Sequence, residues 1–103
     1  MRRAEIAVLG VPAGLLEELE EGRRYRFSYL PGYAGDAVSL TLPAAQRVYE
    51  FDAFPPFFEG LLPEGMMLDA LLRLCKLDRG DLFGQLLAVG ADMVGAVTAR
   101  ELP

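Results

Sequence analysis

The side chains of this chain that could move protons or grip a charged ligand are almost all carboxylates and arginines. Histidine is absent and cysteine occurs once, at Cys75. Nucleophile pairs of the Ser–His or Cys–His type are thereby excluded, as are most metal sites built from nitrogen and sulfur ligands. The densest acids are Glu17-Glu18 and Glu20-Glu21, followed by Arg23-Arg24 and Arg26. A general acid or base needs burial or a charged partner to bring its pKa near working pH. On an exposed hairpin these acids are expected to be solvated, with the arginines of the next strand pairing across the turn for a small gain. No glycine run leads into Lys-Ser or Lys-Thr, and Gly60, Gly65, Gly80, Gly84, Gly90 and Gly95 are spaced as turn and packing glycines. Signatures of a kinase catalytic loop or metal-binding loop are absent as well. The residues assign no catalytic, cofactor-binding or metal-ligating role. They describe a binding protein without a cofactor rather than an enzyme.

The elements that position a binding surface must come from 103 residues, the size of one domain, so residues 1–103 are expected to fold as a single unit. Hydrophobic residues make up 52% and charged residues 24%, enough for a core and too little charge for a disordered chain. Fifteen acids against ten bases leave a net charge of −5. Nucleic-acid affinity comes largely from Lys and Arg releasing counterions from phosphates. The acidic balance therefore argues against direct nucleic-acid binding and against an anionic membrane surface, and it suits a basic protein partner. A single cysteine cannot form an internal disulfide, and Cys75 is expected to be a small buried hydrophobe on a helix. The apolar stretch Ile6 to Val11 is too short for a signal-peptide core. No run approaches the about 20 apolar residues of a membrane span, so a cytoplasmic protein is expected.

Periodicity changes near residue 53. Ala4 to Leu9 is expected as a first strand, ended by Gly10 and Pro12-Ala13-Gly14. Leu15 to Glu21 has helix-favouring composition, but seven residues between two glycines make a marginal helix. The Glu21-Gly22 turn favours a strand there. Arg24, Arg26 and Ser28 alternate with Tyr25, Phe27 and Tyr29, which predicts a strand with its aromatics on one face. Pro31 to Asp36 is a loop, Ser39 to Leu42 a strand ended by Pro43, and Tyr33 and Tyr49 fall in loops.

Beyond residue 53, Phe54, Phe57, Phe58, Leu61 and Leu62 form an apolar stripe at helical spacing. Pro55 and Pro56 suit a first helical turn, and Pro63 ends the helix. A second helix is expected from Glu64 to Lys76, with Met67, Leu68, Leu71, Leu72 and Cys75 on one side and an acid-first, base-last order that suits the dipole. Asp78 or Asp81 would cap a third helix from about Asp81 to Val89, stopped at Gly90. Val94 to Ala99 is β-branched and apolar, a last strand returning to the sheet. The expected architecture is α+β, a small, mostly antiparallel sheet covered on one face by two or three helices.

Two stretches carry a resemblance. They are Phe57-Phe58-Glu59-Gly60-Leu61-Leu62-Pro63-Glu64-Gly65 and, about twenty residues on, Phe83-Gly84-Gln85-Leu86-Leu87-Ala88-Val89-Gly90-Ala91-Asp92-Met93-Val94-Gly95-Ala96-Val97. In this order they resemble the N-terminal subdomain of HipA-type serine/threonine kinase toxins. Leu40-Thr41-Leu42-Pro43 and Gly14-Leu15-Leu16 are similar to that family's strands. In the family this subdomain precedes a kinase core holding the ATP site, metal ligands and catalytic aspartate, none of which is found here. Some systems encode the subdomain as a separate small protein, a HipS-like antitoxin, beside a shortened kinase and a helix-turn-helix DNA-binding protein. The resemblance thus implies a HipA-like serine/threonine kinase as protein partner, with the helix-turn-helix protein as a further partner in the same complex. A 103-residue chain beginning at Met1 resembles that stand-alone antitoxin. The alternative is a structural N-terminal subdomain of a full-length HipA-like kinase, needed for folding and assembly.

The Phe54 to Leu62 stripe is first of all core. It is wider than one small sheet needs, and exposed aromatic and methionine side chains mark binding surfaces. The candidate partner interface is therefore Phe58, Leu61, Leu62, Pro63, Glu64, Met66 and Met67. Tryptophan is absent, so Phe58, Met66 or Met67 would have to supply any apolar plug. Asp92 and Gly95 suit structural turn roles.

Overall fold

The alternation in the first half of the chain builds strands, because successive side chains of a strand point to opposite faces. The computed structural model describes residues 1–93 and 95–103. Its elements are β1 (Arg3–Val8), β2 (Val11–Glu20), β3 (Arg24–Tyr29), β4 (Val48–Phe51), α1 (Pro56–Glu59), α2 (Gly65–Cys75), α3 (Leu82–Val89) and β5 (Val97–Leu102). The strands form one five-stranded sheet in the order β4-β3-β2-β1-β5, every neighbouring pair antiparallel. This is the α+β arrangement expected from the sequence, with α1 and α3 supplying core residues over one face.

The two faces of the sheet differ sharply. Ala4, Ile6, Leu16, Tyr25, Phe27, Tyr29, Val97 and Ala99 point to the covered face and are buried. On the other face Arg3, Glu17, Arg26 and Glu50 are successive register partners across four strands, so charge alternates along the row. Arg100 reaches Glu5 at 3.0 Å and Arg26 reaches Glu50 at 3.7 Å on the same face. Opposite charges placed across strands compensate one another at little net energy. They make this face a solvated one.

Several boundaries differ from expectation. β2 begins at Val11 and runs through Pro12-Ala13-Gly14, which the punctuation residues alone would have made a loop. Pro12 pairs with Ala7 where the register slips between Ile6 and Ala7, and a bulge is one place where a strand tolerates a missing N–H. The β1–β2 turn is Leu9-Gly10, both left-handed at φ 50° and 82°, as the two-residue hairpin turn matched to strand twist requires. Ser39 to Leu42 is not a strand. It is a tight turn closed by a single Ser39–Leu42 bridge. The fourth strand is instead Val48–Phe51, so Tyr49 sits in the sheet and not in a loop.

The aromatic stripe after residue 53 is only briefly helical. α1 spans Pro56–Glu59, and the chain then tightens, with Leu61 N–H bonding the Phe58 carbonyl at 3.1 Å and Leu62 N–H bonding that of Glu59 at 3.1 Å. Pro55 and Pro56 at its start, Gly60 at its end and Pro63 behind leave little room for a longer helix. The stripe still delivers Phe54, Phe58 and Leu62 to the core. α3 starts as expected, its Asp81 carboxylate accepting from Gly84 N–H at 3.0 Å. The last strand lies later than Val94 to Ala99, at Val97–Leu102, and Val94 itself lies outside the described residues.

Gly90, at the end of α3, holds the β5 edge of the sheet. Its carbonyl accepts from Ala99 N–H at 2.9 Å, and a Cβ on Gly90 would collide with the Ala99 carbonyl. Because backbone faces backbone there, no rotamer change can relieve the clash. Gly90→Ala is expected to lower stability by about 1–3 kcal/mol, measured as a shift in the urea midpoint. An unchanged midpoint would show that α3 does not seat on this edge.

Candidate functional site

The corner between α1 and α2 gathers the residues expected to meet a partner, and burial divides them. Phe58 and Leu62 are core residues, Leu61 and Pro63 are half-buried, and Glu64 is exposed. Met66 and Met67 stand 87% and 74% exposed. Phe58 and Leu62 therefore support the corner from beneath and cannot be reached by a partner while the fold is intact. Phe58 packs at 5.8 Å from the Phe27 ring, which is why the stripe takes it inward.

α2 contributes no buried residue at all. Leu68, Leu71 and Leu72 are half-buried on its inner side, and α3 is its main neighbour. Cys75, expected inside, is exposed, and Leu74 is 83% exposed. The sequence reasoning missed Leu74, although it lies two helical turns beyond Met67 and so shares its face. Met66, Met67 and Leu74 thus form an outward apolar strip on a helix held at one side, with Arg79 bonding Asp69 at 2.6 Å to brace the turn that follows.

Beneath α3 lies the strongest polar cluster. Arg2 donates from Nε and Nη2 to both oxygens of Glu18 at 2.8 and 2.9 Å, and from Nη1 and Nη2 to both oxygens of Asp81 at 3.1 and 2.8 Å. Such two-pronged arginine–carboxylate contacts fix direction as well as supplying energy. Glu18 Oε2 also accepts from Gly22 N–H and Tyr25 O–H, both at 3.3 Å, and the guanidinium lies 5.3 Å from the Phe83 ring centre. Glu18 is only 6% exposed, which corrects the expectation that all the hairpin acids are solvated. Glu20 keeps that character, pairing with Arg24 at 3.2 Å near the surface.

Burial opposes the charge on Glu18, yet the Arg2 guanidinium, the Gly22 amide and the Tyr25 hydroxyl together hold its carboxyl below the usual range. The hydrogen bonds from Arg2 outweigh burial at Asp81 and lower its carboxyl as well. Burial and the neighbouring Glu18 charge push the Tyr25 phenol up. Carboxylates locked in the charged form by a permanent cation are poor proton donors near neutral pH. The cluster joins β1, β2 and the α3 cap, so its role is positional. Among the described residues no group of three or more His, Cys, Asp or Glu side chains converges on a metal position. None of their helices is long and apolar enough to cross a membrane.

A five-stranded antiparallel sheet carrying its helices on one face defines an α+β domain of the kind found at the start of HipA toxins. A solved N-terminal domain of HipA toxin matches the chain with a TM-score of 0.80 and 31% sequence identity, over 100% of this chain and 94% of that one. The family model of the HipA N-terminal domain matches residues 4–100. An uncharacterized protein of Haemophilus influenzae is 35% identical over 101 residues, covering 98% of this chain and 93% of that protein. The chain belongs to the HipA N-terminal domain family.

The Arg2 cluster sets the acid response. Glu18 and Asp81 have folded pKa values below their unfolded ones, so the stability they add is complete above the unfolded values and is lost as pH falls through the folded ones. Unfolding free energy is expected to decline as pH falls below about 5, and Glu18→Gln should flatten that slope. Arg2→Ala, which strands a buried carboxylate, should cost about 2–4 kcal/mol in chemical denaturation at neutral pH.

Proposed function

We propose that this chain is a non-catalytic protein-binding component of a HipA-type toxin–antitoxin system. It acts as an antitoxin-like protein that docks on a separately encoded serine/threonine kinase and restrains it. The observation that carries the proposal is the outward strip of α2 beside the Pro63 corner. Exposed methionines and leucine on a helix without a buried residue are costly unless a partner covers them. The opposite face of the sheet is charge-compensated and offers no comparable apolar area. Leu61, Pro63, Glu64, Met66 and Met67 form the contact, extended by Leu74, while Phe58 and Leu62 hold the corner rigid from within. Met66 and Met67 supply the apolar plug, because methionine adapts to an irregular pocket.

A second reading is favoured by the likeness to a solved N-terminal domain of HipA toxin. In that case the same corner packs on a kinase core in the same polypeptide and serves folding and assembly with a helix-turn-helix DNA-binding partner.

The chain, purified with the HipA-like kinase encoded beside it, decides between them. Antitoxin action predicts a stable complex and reduced autophosphorylation of the kinase. The paired change Met66→Asp and Met67→Asp should weaken binding at least about tenfold, as loss of a hot spot does, with Tm unchanged because both side chains are exposed. A complex without inhibition selects the assembly role. Absence of any complex removes the antitoxin proposal.

A further inference from the structure

The sheet ends in β5 on one side and β4 on the other, and α3 packs against β5. At β5 the outward amide of Ala99 is taken by the Gly90 carbonyl of α3. At β4 the phase of the ladder is set by Tyr29 N–H, which bonds the Arg47 carbonyl at 2.8 Å. With the β3–β4 register, this turns the backbone groups of Tyr49 and Phe51 toward β3 and those of Val48 and Glu50 outward. Among the described residues this outward edge makes one bond, from the exposed Gln46 Nε2 to the Val48 carbonyl at 2.9 Å. An unpaired strand edge is a ready template for another strand.

An apolar groove of about 410 Å³ runs beside that edge, lined by Thr41, Leu42, Phe51, Pro55, Pro56 and Phe57. Leu40, between the lining residues Ser39 and Thr41, is 98% exposed. The turn that displays it is bonded on itself, Thr41 N–H to Ser39 Oγ at 3.1 Å and Leu42 N–H to the Ser39 carbonyl at 3.0 Å. Two acids lie close in sequence to the groove's lining residues. Asp52 follows Phe51 directly, and Glu59 lies one helical turn beyond Pro56 on the same side of α1. Both are exposed, and neither has an ion-pair partner among the described residues.

We infer that this edge and groove form a second docking site, separate from the α2 strip, for an extended segment of a partner protein that carries Lys or Arg next to a bulky apolar side chain. The segment adds as a strand, bonding the outward groups of Val48 and Glu50 and displacing the Gln46 side chain. Its apolar side chain enters the groove against Leu42, Phe51 and Phe57. Its cations meet Asp52 and Glu59, and this complementarity selects a basic segment over an acidic one.

The test selects peptides from a phage-displayed random library on the full chain, then titrates the best peptide into the 15N-labelled protein. Enrichment of Lys or Arg together with a bulky apolar residue is expected, with amide shifts concentrated at Leu40, Val48 and Glu50. Asp52→Lys with Glu59→Lys should weaken binding about tenfold, and N-methylation of the peptide backbone should abolish it. Selection without basic enrichment, failure to select any binder, or shifts centred on Met66 and Met67 would each overturn the inference. The last outcome would leave the α2 docking surface intact as the single site.

Discussion

Everything in this fold hangs from a layer of aromatic rings trapped between the sheet and the segments that cross it. Tyr25 meets the ring of Phe54 edge-on at 5.4 Å and stacks with Phe83 at 6.2 Å, while Phe27 meets Phe58 at 5.8 Å. Aromatic pairs at these separations contribute about 0.5–1.5 kcal/mol each beyond the area they bury. They draw two segments distant in sequence, Phe54 to Phe58 and the start of α3, onto one strand. β3 therefore organises the domain, because its alternation faces the rings one way and Arg24, Arg26 and Ser28 the other.

The consequence is a molecule with a division of labour between its surfaces. The uncovered sheet face is stitched by alternating charges and is suited to water. The helical side has a core that ends at α1 and α3, leaving α2 as an outer shelf with half-buried leucines beneath and methionines above. Arg2 fixes where that shelf stands, since it grips β2 through Glu18 and the α3 cap through Asp81. Burying a carboxylate costs free energy unless it is paired and bonded, and here all the donors Glu18 needs arrive from three different parts of the chain. The cluster makes the orientation of α3, and through it of α2, a matter of geometry rather than of loose hydrophobic contact.

Membership of the HipA N-terminal domain family fits this division. The chain lacks histidine, and its most buried carboxylate is held in an ion pair with Arg2. Its surfaces are of two kinds, an apolar helix strip and an open strand edge. The first offers side-chain shape and the second offers unpaired backbone groups.

Much of this was legible in the residues themselves. The alternation of β3, the Asp81 cap, the stop at Gly90 and the inward stripe of Phe54, Phe58 and Leu62 follow from local periodicity and capping chemistry, which neighbours in sequence decide. The order and spacing of the two motifs identified the family for the same reason. Tertiary contacts decided the rest. Val48–Phe51 is a strand because β3 offers it a ladder, not because four partly exposed residues demand one, and Ser39 to Leu42 is a turn because it has no such neighbour. Cys75 and Leu74 face water because α2 rests on α3 instead of being sandwiched. Glu18 can be buried because Arg2, distant along the chain, meets it only in the fold, where Asp81 holds the other side of the same guanidinium. Local pattern sets which faces are apolar; only long-range packing sets which of those faces find a cover.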